Sequence, residues 1–439
     1  MTLVVFALVV LLAGCLDPIP SGTITRPGNG SVAGTVKDFC DATALEGVLV
    51  TPRPLQGGQV GPPGATASTD GAGAYLLPDL EPGPWQLMFA KKDYQSVEKS
   101  VVVTADQEAR ADLTLPPVPT QLPNEAKLDV LFVVDNSNSM AEEQQALARA
   151  FPKFMNALMA YSFTLDLRVG VITTDMGAGP YNIPSCEPVG GDGGVLQNKP
   201  RISGCTPPTD PYISVVGSTT NVPGDMVNDA FECIVQLGTG GCGFEQPLAA
   251  ALKAIDGQTN PGFPRTDSVL AVVVLSDEDD CSAVDETLFD TSQQSISDPL
   301  GPLTSFRCFE FGVTCDINDR TQPGPRSNCV PQQGGYLLDV DTFVSQLTAG
   351  RGAEAVFFAV ISGPTDVVQV ALEANSPTVK PACQTAATSA MPGIRLEAVT
   401  EKLAPNASFD NICVGDLGTT LTNIARQITE KALLAPCAP

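Results

Sequence analysis

Three oxygen-bearing side chains, Asp135, Ser137 and Ser139, stand at alternate positions in VVDNSNSM, where the apolar run LDVLFVVD ends. A second apolar run, SVLAVVVLSD, ends in Asp277 and is followed by Glu278, Asp279 and Asp280. Carboxylate and hydroxyl oxygens suit a hard divalent cation, Mg²⁺ or Ca²⁺. The chain of 439 residues holds no His, which removes Ser-His-Asp and Cys-His nucleophiles and the His-based zinc signatures together. Asp135 as a phosphoryl-transfer nucleophile would want a second acid two residues on, and Ser137 stands there. Ser139-Met140-Ala141-Glu142 also has the form of a capping box, which would employ Ser139 at the start of a helix. Capping explains one serine; it leaves Asp135, Ser137 and Asp277 unexplained.

The elements that must position these residues read as α/β. Apolar strands LDVLFVVD, FTLDLRVGVITTD, SVLAVVVLSD and EAVFFAVISG alternate with amphipathic helices predicted at 140–161, 245–255, 339–347 and 417–433. In the last, Leu417, Leu421, Ile424 and Ile428 form one apolar stripe and Asp416 is available as cap. Pro152 should kink or divide the first helix. Unbroken apolar strands imply a largely parallel sheet covered on both faces. Such sheets place ligands beyond the carboxyl ends of strands, where strand order reverses. Asp135 and Asp277 both finish strands, and the two strands are expected side by side.

LFVVDNSNSM reproduces the D-x-S-x-S signature of the metal ion-dependent adhesion site and resembles von Willebrand factor A domains over residues 127–435. The resemblance implies a Rossmann-like, mostly parallel sheet with helices on both faces. It further implies that Asp135, Ser137, Ser139 and Asp277 hold a divalent cation whose shell is completed by an acidic group on a protein or glycan partner. Such a protein is not an enzyme. The family's second loop carries a Thr; GGCGFEQPL places Cys242 there, so Thr239, Glu245 or water must replace it. Asp175, at the end of the second strand, is a further candidate carboxylate, and the run Glu278 to Asp280 would favour Ca²⁺.

The remaining sequence sets the context. With 24 Lys and Arg against 49 Asp and Glu, the net charge of -25 excludes nucleic acid as a partner. Residues 1–14, MTLVVFALVVLLAG, have the short apolar core of a signal peptide, and Leu12-Ala13-Gly14-Cys15 resembles a bacterial lipobox, making Cys15 the lipid anchor to the membrane. Leu16 after it is consistent with delivery to the outer membrane of a bacterial envelope. An ordinary cleaved secretory signal is the alternative. Residues 15–30 read as a tether and 116–126 as a Pro-rich linker. Between them, 31–115 alternates short β segments with turns as a small all-β sandwich. Its segments GTVKD, GVLVTP and TDGAGAY resemble the carboxypeptidase regulatory-like, transthyretin-like domain, which carries no catalytic residues; the single Trp85 belongs to its core.

Removing Cys15 from thirteen cysteines leaves an even number, which reads as disulfides outside the cytoplasm. Two Gly, Pro and Cys-rich insertions, 176–222 and 281–335, fit neither strand nor helix and are expected to be stapled. Cys233 and Cys242, flanking a short Gly-rich turn, are the first pairing expected, and Cys383 with Cys413 the second. The expected function is a lipid-anchored adhesion protein of the cell envelope. A structural envelope protein with a degenerate metal site and a metal-dependent hydrolase are the alternatives.

Overall fold

The apolar run before Asp135 forms the middle of a seven-stranded sheet. The computed structural model describes residues 28–38, 42–56, 59–115, 125–160, 164–184, 186, 190–386, 388–413 and 416–434. The expected signal segment, the anchor Cys15, most of the tether and linker residues 116–124 lie outside these. Counted from that central run, the strands are β1 (Glu125–Val134), β2 (Thr164–Thr173), β3 (Ile213–Val216), β4 (Thr219–Thr220), β5 (Val269–Leu275), β6 (Val356–Ser362) and β7 (Ala407–Asn411). Their spatial order is β4-β3-β2-β1-β5-β6-β7. Strands β2, β1, β5, β6 and β7 run parallel, and β3 and β4 extend one edge antiparallel.

Seven α-helices among the described residues accompany the sheet: α1 (Ala141–Leu158), α2 (Val227–Val235), α3 (Pro247–Ala254), α4 (Phe306–Gly312), α5 (Val340–Thr348), α6 (Ile394–Leu403) and α7 (Leu417–Leu434). Side chains alternate across a strand. Leu128, Val130, Phe132 and Val134 of β1 pack on one face with α1, α2 and α7, and Leu131 and Val133 on the other with α3, α5 and α6. Every residue of β5 and β6 is buried, as two covered faces require. Phe132 anchors the first face, its ring 5.5 Å from Phe154 and 5.1 Å from Phe231.

Several expectations need correction. Helix α1 runs through Pro152 undivided, and its N-cap is Met140 with no side-chain hydrogen bond, so Ser139 is not spent on a capping box. Asp416 does cap α7, its Oδ1 accepting from the Gly418 N–H at 3.0 Å. The insertion at 176–222 contributes β3 and β4, and that at 281–335 contains α4 and a short antiparallel pair, Val313–Thr314 with Val330–Pro331. Cys233 does not pair with Cys242. Cys233, on the buried side of α2, bonds Cys205, while Cys242 bonds Cys186; each staples the first insertion at a different point. Cys281–Cys308 and Cys315–Cys329 close the second insertion, and Cys383–Cys413 forms as expected.

The N-terminal region is all β. One sheet contains Gly30–Asp38, Ala74–Leu80, Glu108–Arg110 and Leu113–Leu115; the other contains Leu49–Gln56, Gln59–Val60, Ala67–Ser68, Gly83–Ala90 and Val97–Val103. Val32, Leu77, Leu87, Phe89 and Trp85 are among the residues that fill the space between them. In TDGAGAY only Gly73 takes a positive φ, +74°, and a Cβ there would stand 2.4 Å from the Val36 carbonyl oxygen. The strand Val97–Val103 meets α7, where Asn423 donates to the Glu98 carbonyl and Arg426 Nη1 to the Ser96 carbonyl at 3.2 Å.

The sheet's carboxyl edge is locked by a buried ion pair. Arg395 at the start of α6 and Asp280 beyond β5 are both 0% exposed, with Nη2 and Oδ2 3.0 Å apart. Asp279 accepts from the Arg395 backbone N–H at 3.0 Å, so two of the three acids after Asp277 serve the fold. Replacing Arg395 by Met strands the Asp280 charge and should cost about 3–5 kcal/mol. Urea unfolding of Arg395→Met against Arg395→Met with Asp280→Leu checks this: the double variant should recover most of the loss.

Candidate metal centre

Strand order reverses between β1 and β5, so the loops leaving their carboxyl ends face each other across a crevice. The Asp135 N–H donates to the Leu275 carbonyl at 2.9 Å, carrying the pairing of β1 and β5 past the strand ends. Asp135 is 0% exposed. Its Oδ1 accepts from the Ser137 N–H at 2.7 Å and its Oδ2 from the Ser276 hydroxyl at 2.7 Å. The hydroxyls of Ser137 and Ser139 lie 3.2 Å apart, and the Ser139 hydroxyl reaches the Asp277 carboxyl. The four residues singled out from the sequence thus converge: Asp135, Ser137, Ser139 and Asp277 form one chain of oxygens. Asn138 and Ser139 are exposed, so the crevice opens to solvent on that side.

The second loop is fitted closely to the first. Gln144 of α1 donates to the carbonyls of Asp135 and Gly238, each at 2.9 Å, and accepts from the Leu237 N–H at 2.9 Å. The Gly241 N–H donates to the Asn136 carbonyl at 2.9 Å, and a Cβ on Gly241 would fall 2.4 Å from the buried Asn136 side chain. This close approach explains the need for glycine there. Cys242 is buried in its disulfide with Cys186 and offers no hydroxyl.

Of the three candidates to replace the missing Thr or add a carboxylate, the structure brings one to the site. Glu245 is 1% exposed and lies within hydrogen-bonding reach of the Asp135 carboxyl. Its Oε2 takes the Thr174 hydroxyl, while its Oε1 has no hydrogen-bond partner among the described residues. Asp175, at the end of β2, is turned to its own loop instead. Its carboxylate accepts from the Gly177 N–H at 2.8 Å and from the Cys242 N–H, which ties it to the loops rather than to Asp135. Thr239 is half-buried, and among the described residues no hydrogen bond joins it to Asp135 or Asp277.

Three participants were not singled out from the sequence. Ser276 supplies a hydroxyl to Asp135, Gln144 clamps the loop, and Glu143 is 4% exposed with an Oε2 that has no partner among the described residues. Ser276 was legible as the hydroxyl next to Asp277. Gln144 and Glu143 sit in an ordinary first helical turn and carry no signal of their own.

Burial sets the electrostatics. It raises the Asp135 carboxyl, against the pull of its bonds from Ser137 and Ser276, and lifts Glu245 well above the ordinary range, with the Asp135 charge adding to the effect. Burial and the Asp135 charge push Asp277 up to about 7, and burial with the Asp277 charge pushes Glu278 up to about 8. Asp277 Oδ1, like Glu245 Oε1, has no hydrogen-bond partner among the described residues. Buried carboxylate oxygens without partners fit a hard cation, which would supply the missing positive charge. No group of three or more His, Cys, Asp and Glu side chains among the described residues is placed to hold a metal by itself. A cation here would therefore rest on a mixture of carboxylates and serine hydroxyls.

Comparison with known proteins bears on the N-terminal region. Solved structures similar to part of the chain include 3-chlorocatechol 1,2-dioxygenase from Rhodococcus opacus, at 15% identity over 21% of this chain and 62% of that one, with a TM-score of 0.18. A streptococcal ancillary pilin is 21% identical over 24% of this chain and 37% of its own, with a TM-score of 0.18. The major pilin subunit of Bacillus cereus is 15% identical over 21% and 31%, with a TM-score of 0.16. The chain spans less than two thirds of each of these proteins, and likenesses this slight decide nothing about the whole fold. No curated protein sequence matches the chain. Residues 31–116 match the model of the carboxypeptidase regulatory-like domain, and this part of the chain is such a domain.

Proposed function

We propose that residues 127–435 are a von Willebrand factor A-type module that binds a divalent cation, and through it an oxygen ligand of a protein or glycan partner, at a bacterial cell envelope to which Cys15 anchors the chain. The observation that carries this reading is the convergence of Asp135, Ser137, Ser139 and Asp277 at the point where strand order reverses. Carboxylates and hydroxyls there would hold Mg²⁺ or Ca²⁺. The cation would supply an electrophilic centre for the partner's oxygen; Ser137 and Ser139 orient its shell, and Gln144 keeps the loop in place. The carboxypeptidase regulatory-like domain would hold the module away from the membrane.

Two measurements test the reading. Calorimetric titration of the full chain with CaCl₂ and MgCl₂ should give saturable binding, weakened about a hundredfold or more by Asp135→Ala, since even outer-shell changes cost about 10–100-fold. Absence of binding by the unmodified chain to either cation would refute the reading.

The second measurement is the pH dependence of stability. Asp277 and Glu278, raised to about 7 and about 8, keep their protons in the folded chain while the unfolded chain loses them near pH 4. The unfolded state then binds fewer protons, so stability falls as pH rises from about 5 to about 8. Thermal unfolding of the chelator-treated chain should show that fall, and saturating CaCl₂ should flatten it. Equal slopes with and without Ca²⁺ would count against a cation at these carboxyls.

A further inference from the structure

Glu245 occupies the place in the second loop that sequence reasoning left open, and it brings a charge where the resembling family has a neutral hydroxyl. The disulfide to Cys186 removes Cys242 from any ligand role, and the chain runs on from it through Gly243 and Phe244 to Glu245. Phe244 packs against Phe289, with ring centroids 4.9 Å apart, and the Glu245 carbonyl accepts from the Cys281 N–H at 2.6 Å. The next residue is fixed too, Gln246 donating to the Gly177 carbonyl at 2.8 Å and accepting from the Ala283 N–H at 3.1 Å. The backbone is therefore held on both sides of Glu245. Its side chain is 1% exposed, reaches the Asp135 carboxyl, and keeps Oε1 without a partner among the described residues.

A buried carboxylate oxygen with no hydrogen-bond partner among the described residues, on a backbone held beside the Asp135 loop, is what a hard cation would fill. We infer that Glu245 is an additional anionic ligand of the Asp135 cation, that it makes the centre selective for Ca²⁺ over Mg²⁺, and that the partner's ligand is a neutral oxygen rather than a carboxylate. The inference rests on the cation-binding reading given above. Ca²⁺ accepts about six to eight oxygens, several of them carboxylate, in a flexible shell, whereas Mg²⁺ demands a small octahedron and keeps its waters. Asp135 and Glu245, once ionised, already balance the two positive charges of the ion. A further carboxylate would be repelled; a hydroxyl or carbonyl would not.

The test uses the full chain, Glu245→Gln and Glu245→Thr, each titrated with CaCl₂ and with MgCl₂, the Mg²⁺ titrations repeated in acetate as a probe carboxylate. Glu245→Gln keeps the size of the side chain and its bond to Thr174, so it carries the test if Glu245→Thr fails to fold. The unmodified chain should bind Ca²⁺ at least about tenfold more tightly than Mg²⁺, and either variant should shrink that ratio at least about threefold. Acetate should tighten Mg²⁺ binding in Glu245→Thr and leave the unmodified chain unchanged. A Ca²⁺ to Mg²⁺ ratio that is the same in all three proteins overturns the role of Glu245 while leaving the cation reading standing. Tightening by acetate in the unmodified chain overturns the neutral-ligand conclusion. Failure of the unmodified chain to bind either cation overturns both.

Discussion

Everything near the crevice follows from carboxylates buried without a cationic side chain beside them. Elsewhere the chain compensates its buried acids conventionally: Asp129 is bridged by Arg265 at 2.7 Å and Asp280 by Arg395 at 3.0 Å. Asp135 instead has an N–H and two hydroxyls, and Glu245 the Thr174 hydroxyl. Hydrogen bonds of this kind lower the cost of burying a carboxylate without neutralising it. The apolar sheet therefore ends in a group of buried carboxyls that burial and their mutual repulsion hold against ionising together.

Disulfides staple the chain around these carboxyls. Loops that carry mutually repelling acids gain from constraints that do not depend on charge. Cys186–Cys242 binds the first insertion to the second loop, and Cys281–Cys308 fastens the chain just beyond Asp280. A cross-link removes open conformations from the unfolded ensemble whatever the pH or the cation concentration. The carboxyl ends of β1 and β5 are thus held by covalent and backbone links rather than by pairing of Asp135, Asp277 and Glu245 with cationic side chains.

The sequence disclosed those parts of the site whose signal is local. Alternate oxygens after an apolar strand identified Asp135, Ser137 and Ser139, and the same reasoning found Asp277, because strand ends are legible from unbroken apolar runs such as Val269–Leu275. It failed where the signal is not local. β7, ASFDN, is half-buried throughout and has no apolar run to announce it, and β3 and β4 lie inside a segment whose Gly and Pro content reads as loop. Disulfide partners depend on how α2 and the insertions pack, so proximity along the chain misassigned Cys233 and Cys242. The capping-box pattern at Ser139 matched in letters, yet the helix starts one residue later, at a position that leaves the hydroxyl for Asp277.

Cys242 and Glu245 act together on the second loop. Cys242 offers no hydroxyl, and the disulfide it forms fixes the loop's backbone. A fixed backbone lets the residue three positions on extend a longer side chain to the same carboxyl without the entropy that a mobile loop would lose. Glu has the reach that Asp lacks and the charge that Gln lacks. On the cation-binding reading proposed above, the loop would thus offer an anionic ligand on a stapled backbone, which would raise its demand for a cation.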